Sequence, residues 1–203
     1  MTSVAGSSSS LRISEHAEKP FRYFLADQCL DIATERALLV WFESDAPWRL
    51  VEKDFYEQYE FSLLDAPLPA SLNSFMSSGS LTALRTAVEN AFQRQLTDKI
   101  GLVAHKLTPG QRIAIHNDHL TGAESHRLTI QINRGLNDEE GGFFMLFNSF
   151  DANDVHRVLR PRSGSAIGFE ISPASHHAVS RLYGGVRYSL IYSFHAVCHD
   201  TVG

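Results

Sequence analysis

The chain has 203 residues, 43% of them hydrophobic, enough for one domain with a substantial core. Its formal charge of −5 argues against a nucleic-acid partner bound through phosphate attraction. No apolar run is long enough to cross a bilayer, so a membrane partner is not expected either.

Residues 1–10 are small and serine-rich and lack the apolar core of a secretion signal; they read as a disordered tail before a single domain over 11–203. Leu11 to Ile13 and Phe21 to Phe24 read as short strands. Asp27 is placed to cap a helix running to about Phe42, with Leu30, Ala33, Ala37, Leu38 and Trp41 at helical spacing. Trp48 to Leu64, rich in Phe and Tyr, predicts one or two strands. Ala70 to Met76 predicts a short helix, and Leu81 to Leu96 a longer amphipathic one. The two cysteines, Cys29 and Cys198, read as a buried thiol and a near-terminal bystander rather than a disulfide, which fits a reducing cytoplasm.

From Ile100 the texture changes. Short apolar runs alternate with turn signals at Pro109-Gly110, Gly135 to Gly142, Pro161 to Gly164, Pro173 and Gly184-Gly185, the spacing of an antiparallel barrel or jelly roll. The expected fold is therefore mainly β with some α. Residues 11–99 give helical and strand support packed on one sheet, and 100–203 form the core of the barrel.

Chemistry concentrates in this half. His116 and Asp118 follow the strand Arg112 to Ile115; two apart, they point the same way if the chain stays extended. Far downstream, Ser175-His176-His177 offers a second imidazole from either histidine. Two imidazoles and a carboxylate occupy one face of an octahedral metal and leave the other open, which suits ferrous iron. Arg187 opens a strand whose Tyr188, Leu190, Tyr192 and Phe194 face one way and whose Arg187, Ser189, Ile191 and Ser193 face the other. An arginine inside a barrel needs a partner: a bound carboxylate, or an internal acid such as Glu170. Along Arg127 to Asn133, the polar Thr129, Gln131 and Asn133 line either solvent or a wet cavity. Lys106, just before the metal strand, is a further candidate for the co-substrate. His105 and His126 carry no assigned role.

Taken together these stretches resemble the 2-oxoglutarate- and iron(II)-dependent oxygenases, most closely their prolyl-hydroxylase-like branch. The resemblance runs from about Gly101 to Phe194, over P-G-Q-R-I-A-I-H-N-D, R-L-T-I-Q-I-N, E-G-G-F-F-M-L-F, P-R-S-G-S-A-I-G-F-E and H-A-V-S-R-L-Y-G-G-V-R-Y-S-L. It implies a double-stranded β-helix of the cupin-like, jelly-roll type, with His116, Asp118 and a distal histidine on Fe(II). It also implies a basic residue about ten positions after that histidine, on the far carboxylate of 2-oxoglutarate. Arg187 stands ten positions after His177, and His177-Ala178-Val179 matches the H-x-V of the family, so His177 is taken as the ligand and His176 as its neighbour. Ser189, Gln131 and Asn133 are expected around the co-substrate, Asn133 where family members often carry tyrosine.

The implied reaction consumes O2 and 2-oxoglutarate and hydroxylates an unactivated C–H bond. The substrate expected from the branch is an amino-acid side chain in a peptide or protein. The alternatives are the same chemistry on a small-molecule biosynthetic intermediate, or a non-catalytic cupin-like metal-binding module. The carboxylate at Asp118 favours hydroxylation over halogenation, which needs that position vacated.

Overall fold

A computed structural model describes residues 11–120 and 124–197; the expected tail and Cys198 lie outside the described residues. The elements run β1 (Arg12–Ala17), β2 (Tyr23–Asp27), α1 (Ile32–Ser44), β3 (Arg49–Lys53), β4 (Tyr56–Ser62), α2 (Ser78–Phe92), β5 (Leu96–Leu107), β6 (Ile113–His116), β7 (His126–Ile132), β8 (Phe144–Phe147), β9 (Val155–Leu159), β10 (Ala166–Glu170), β11 (His177–Val179) and β12 (Arg187–Ala196). None of the described helices is long and apolar enough to cross a membrane.

The strands pair antiparallel throughout and curl into a jelly-roll-like barrel. One sheet runs β1-β2-β10-β7-β12-β5-β4, with β3 on β4; the facing sheet runs β6-β11-β8-β9. On one side the two are joined where β4 meets β6 through Tyr56 and Ile113. On the other side the edges β1 and β9 are tied by side chains: Arg157 forms an ion pair with Glu15 and donates to the Tyr23 hydroxyl at 3.0 Å.

Alternation sorts the side chains of the larger sheet into two cores. Leu128, Ile130 and Ile132 of β7 and Tyr188, Leu190, Tyr192 and Phe194 of β12 face the helices, where they meet Leu38, Trp41 and Phe42 of α1 and Leu84, Val88 and Phe92 of α2. Each such side chain contributes about 1.5–3 kcal/mol by leaving water. The opposite face looks into the barrel, where Ile167 and Phe169 meet Phe144, Leu146, Val179 and Leu182. A sheet covered on both faces is why β12 is buried along most of its length.

The helix boundaries differ from the sequence expectation for local reasons. Asp27 is the last residue of β2, paired with Arg12, and Asp31 caps α1 by accepting from the Thr34 amide at 2.9 Å. Ser77 caps α2, so that helix starts earlier than Leu81. It stops at Phe92 because Gln93 turns left-handed (φ 51), and Leu96 belongs to β5. Of the expected short helix only a 3-10 turn, Ala70–Leu72, forms.

Gly168 in β10 is a packing requirement. A Cβ there would lie 2.3 Å from ring carbons of Phe24, which is fully buried. Gly168→Ala is expected to cost about 1–3 kcal/mol by overpacking, read as a lowered urea midpoint.

Candidate metal centre

His116 is the last residue of β6 and His177 the first of β11, and the two are direct partners across the ladder. Their ring centroids are 4.2 Å apart. Each ring turns Nδ1 toward the carbonyl two residues earlier, Ala114 O at 2.9 Å for His116 and Ser175 O at 2.8 Å for His177. A carbonyl only accepts, so Nδ1 carries the proton and Nε2 keeps its lone pair for a metal. Both Nε2 atoms face the Asp118 carboxylate, His116 at 3.4 Å and His177 at 3.2 Å. One ligand atom from each of the three lies within 4.8 Å of the others. This donor set, two neutral imidazoles and a carboxylate, fits Fe(II) and its divalent neighbours. The walls are aromatic: Phe144 stacks on His177 at 5.3 Å, Phe169 lies 4.8 Å from it, and Phe55 tilts over His116 at 4.7 Å.

Asp118 reaches this point by a different route from the one expected. The strand ends at His116, and Asp118 sits in the following loop with φ 57, the left-handed conformation that Asp tolerates better than most residues. Asn117 anchors the loop: its amide donates to Pro173 O at 3.1 Å, and its carbonyl accepts from Ser175 Oγ at 2.8 Å. The loop bearing Asp118 is thereby stapled to the segment that carries His177. Burial alone raises the Asp118 carboxyl, but His116, His177 and Arg127 outweigh it and hold the group well below the usual carboxylate range.

Arg187 lies on the inner face of β12 and is 2% exposed. Its Nη1 donates to Ser189 Oγ at 3.4 Å, while Nε and Nη2 have no partner among the described residues. Glu170, its alternative partner from sequence, is exposed and makes no ion pair with it. Burial pushes Arg187 down to about 10, which still leaves it charged at neutral pH. Gly142 packs against it; a Cβ there would lie 3.2 Å from Arg187 Cδ. On the neighbouring strands Ser189 is opposite Gln131 on one side and His105 on the other, and Gln131 Oε1 is also buried without a partner. A buried cation with idle donors, beside a hydroxyl and an amide, fits a bound carboxylate such as the distal acid of 2-oxoglutarate.

The other expected residues divide. Thr129 and Gln131 are buried on the inner face, so the polar side of β7 faces the cavity rather than solvent. Asn133 is committed elsewhere: its Nδ2 donates to Pro161 O at 2.9 Å and its Oδ1 accepts from the Tyr188 amide at 2.9 Å. Its amide is spent on the backbone, so Asn133 shapes the end of β7 rather than offering a free group to the co-substrate. Lys106 points to the outer face, over the rings of Trp48 and Tyr59 at 5.7 and 5.3 Å. His176 is half-buried beside Phe150, with Nδ1 unpartnered.

Two inward groups were not singled out from sequence. His105 faces Glu60 across β4 and β5, with Nε2 and Oε2 3.7 Å apart. Gln58, 1% exposed on the same side of β4, donates to Glu60 at 2.9 Å and keeps Oε1 idle. Only the alternation of Tyr56, Gln58 and Glu60 could have signalled this.

Burial drives His105 down to about 3 and His126 to about 4. The unfolded chain protonates both near the ordinary value of 6.5, the folded chain only well below it. Stability is thus full above that value and is lost as pH falls toward the folded ones. The slope is at most about 1.4 kcal/mol per pH unit for each group. Urea unfolding at pH 7 and pH 5 is expected to show this loss, and His105→Asn should flatten it.

No family model matches the chain, and no curated protein sequence does. Solved structures do. A Pseudomonas putida prolyl-4-hydroxylase aligns with TM-score 0.69 at 16% identity, over 87% of this chain and 93% of that one. A Trichoplax adhaerens prolyl hydroxylase, solved with a hypoxia-inducible-factor peptide fragment, aligns with TM-score 0.65 at 11% identity, over 85% and 83%. A viral collagen prolyl hydroxylase from Paramecium Bursaria Chlorella virus-1, solved with 2-oxoglutarate, aligns with TM-score 0.61 at 14% identity, over 86% and 96%. The chain therefore has the fold seen in prolyl hydroxylases.

Proposed function

We propose that the protein is an Fe(II)- and 2-oxoglutarate-dependent dioxygenase that hydroxylates an unactivated C–H bond on an amino-acid side chain of a peptide or protein. The observation that carries this reading is Arg187: a buried, charged guanidinium with two idle nitrogens, inside the same barrel as a converging His-Asp-His cluster. A structural zinc site closed by protein ligands has no use for such a cation.

In this reading His116, Asp118 and His177 hold the metal through Nε2, a carboxylate oxygen and Nε2. Bound Fe(II) supplies dioxygen activation coupled to decarboxylation of 2-oxoglutarate to succinate and carbon dioxide. Arg187 and Ser189 grip the distal acid of the co-substrate, with Gln131 beside them, and fix its direction along the barrel. Phe144, Phe169 and Phe55 exclude water from the metal ligands. The low carboxyl of Asp118 keeps that ligand ionised. A peptide substrate is supported by the peptide held by the Trichoplax adhaerens neighbour and by exposed Phe55 and Phe150, which offer apolar surface beside His116 and His176. Residence in a reducing cytoplasm belongs to the same proposal.

The test is succinate release from 2-oxoglutarate. It is expected to need added Fe(II) and to vanish in His116→Ala. A one-oxygen mass gain on a peptide pool, with none on small molecules, supports the peptide assignment, and the reverse assigns a small molecule. Iron binding with no succinate under any substrate would replace the enzyme by a metal-binding module.

A further inference from the structure

Arg127 is another inward-facing arginine, and the reaction outlined above leaves it without a task. It stands near the start of β7, opposite Phe169 on β10 and Ser193 on β12, which places it on the inner face at the metal end of the barrel. Its side chain is largely buried. Nη1 donates to Asp118 Oδ2 and Nη2 donates to Glu124 Oε2, while Nε has no partner among the described residues. A guanidinium held by two carboxylates is fixed in both position and plane.

The consequence falls on Asp118. With Nδ1 of both rings carrying the proton, Nε2 of His116 and of His177 has no hydrogen to lend the carboxylate. Asp118 lies in a loop, so no strand ladder restrains it. Among the described residues, Arg127 is then the remaining side-chain partner of that carboxylate. Both oxygens face the ligand cluster, Oδ1 3.4 Å from His116 Nε2 and Oδ2 3.2 Å from His177 Nε2, but Nη1 engages Oδ2 and leaves Oδ1 as the oxygen free to bind the metal. A carboxylate free to rotate would offer both oxygens and take up a second coordination position. The Glu124 carboxylate balances the charge of the guanidinium, so Asp118 is oriented while its negative charge remains available to the metal.

We propose that Arg127 is a positioning residue that restricts Asp118 to one-oxygen metal binding and so keeps a coordination position open for co-substrate. This rests on the metal-centre reading above, and the experiment separates the two. Co(II) alone is titrated into the full chain, with affinity read by calorimetry and coordination number by the visible d–d absorption. The wild type is expected to bind one Co(II), and His116→Ala to lose it; failure at that step sinks the metal centre itself. Arg127→Met is expected to weaken Co(II) about 10–100-fold, the usual effect of losing a partner that orients a ligand, and to change the absorption band. Arg127→Lys should restore part of both. Glu124→Gln, at a partly exposed position where folding is not at risk, should shift the band in the same direction with a smaller affinity loss. An Arg127→Met protein that folds and shows wild-type affinity and band overturns the proposal. So does an unchanged band in Glu124→Gln should Arg127→Met fail to fold.

Discussion

Replacing Arg187 with methionine is expected to weaken 2-oxoglutarate binding by about two orders of magnitude while leaving the ligand-free protein no less stable than wild type. Hydrogen bonds to charged groups contribute about 1.5–3 kcal/mol each, and Arg187 has two idle nitrogens to give. Losing about 3 kcal/mol of that is a factor of ~100. The stability half follows from burial. A cation with no counter-charge pays a desolvation penalty of several kcal/mol, consistent with the fall of Arg187 to about 10. Methionine fills much of the same volume without that cost. The signature is therefore a pair of opposite signs: a KM for 2-oxoglutarate raised steeply, and a melting temperature in the absence of ligand that holds or rises. Saturating 2-oxoglutarate should raise the melting temperature of wild type and do little for the variant. A large drop in melting temperature with unchanged KM would make Arg187 a structural residue.

The second large effect is expected at the ligands. Losing an orienting partner of a ligand costs about 10–100-fold in metal affinity, so His177→Ala and Asp118→Ala, which remove ligands outright, should cost more than about 100-fold. Succinate formation should fall to background in both. His176→Ala provides the contrast. His176 is half-buried beside Phe150 and lies outside the converging group, so that variant should keep metal binding within a few-fold. Equal losses at His176 and His177 would contradict the assignment of the ligand.

The barrel was legible because its strands alternate. Leu128, Ile130 and Ile132 against Thr129 and Gln131, and Tyr188, Leu190, Tyr192 and Phe194 against Arg187 and Ser189, divide as period-two patterning requires. The convergence of His116 with His177 was legible through the resemblance, and the ladder places them as direct partners. What failed was local geometry set by distant chain. Nothing near Asn133 in sequence says that Pro161 O and the Tyr188 amide consume its side chain. Asp118 was expected on an extended strand, yet it turns left-handed because the loop is pinned across to Pro173 and Ser175. Lys106 was a candidate for the co-substrate, but β5 alternates so that His105 takes the inner side and Lys106 lies over Trp48. The clamp on Asp118 by Arg127 and Glu124 was invisible for the same reason: it joins a loop to a strand through side chains.

The most direct measurement is a crystal structure of the protein grown without oxygen in the presence of Fe(II) and 2-oxoglutarate. Iron bound by His116 Nε2, His177 Nε2 and one oxygen of Asp118, chelated by the keto-acid end of a 2-oxoglutarate whose far carboxylate meets Arg187, is the predicted result. Iron held elsewhere, or a co-substrate whose distal acid lies away from Arg187, would contradict it.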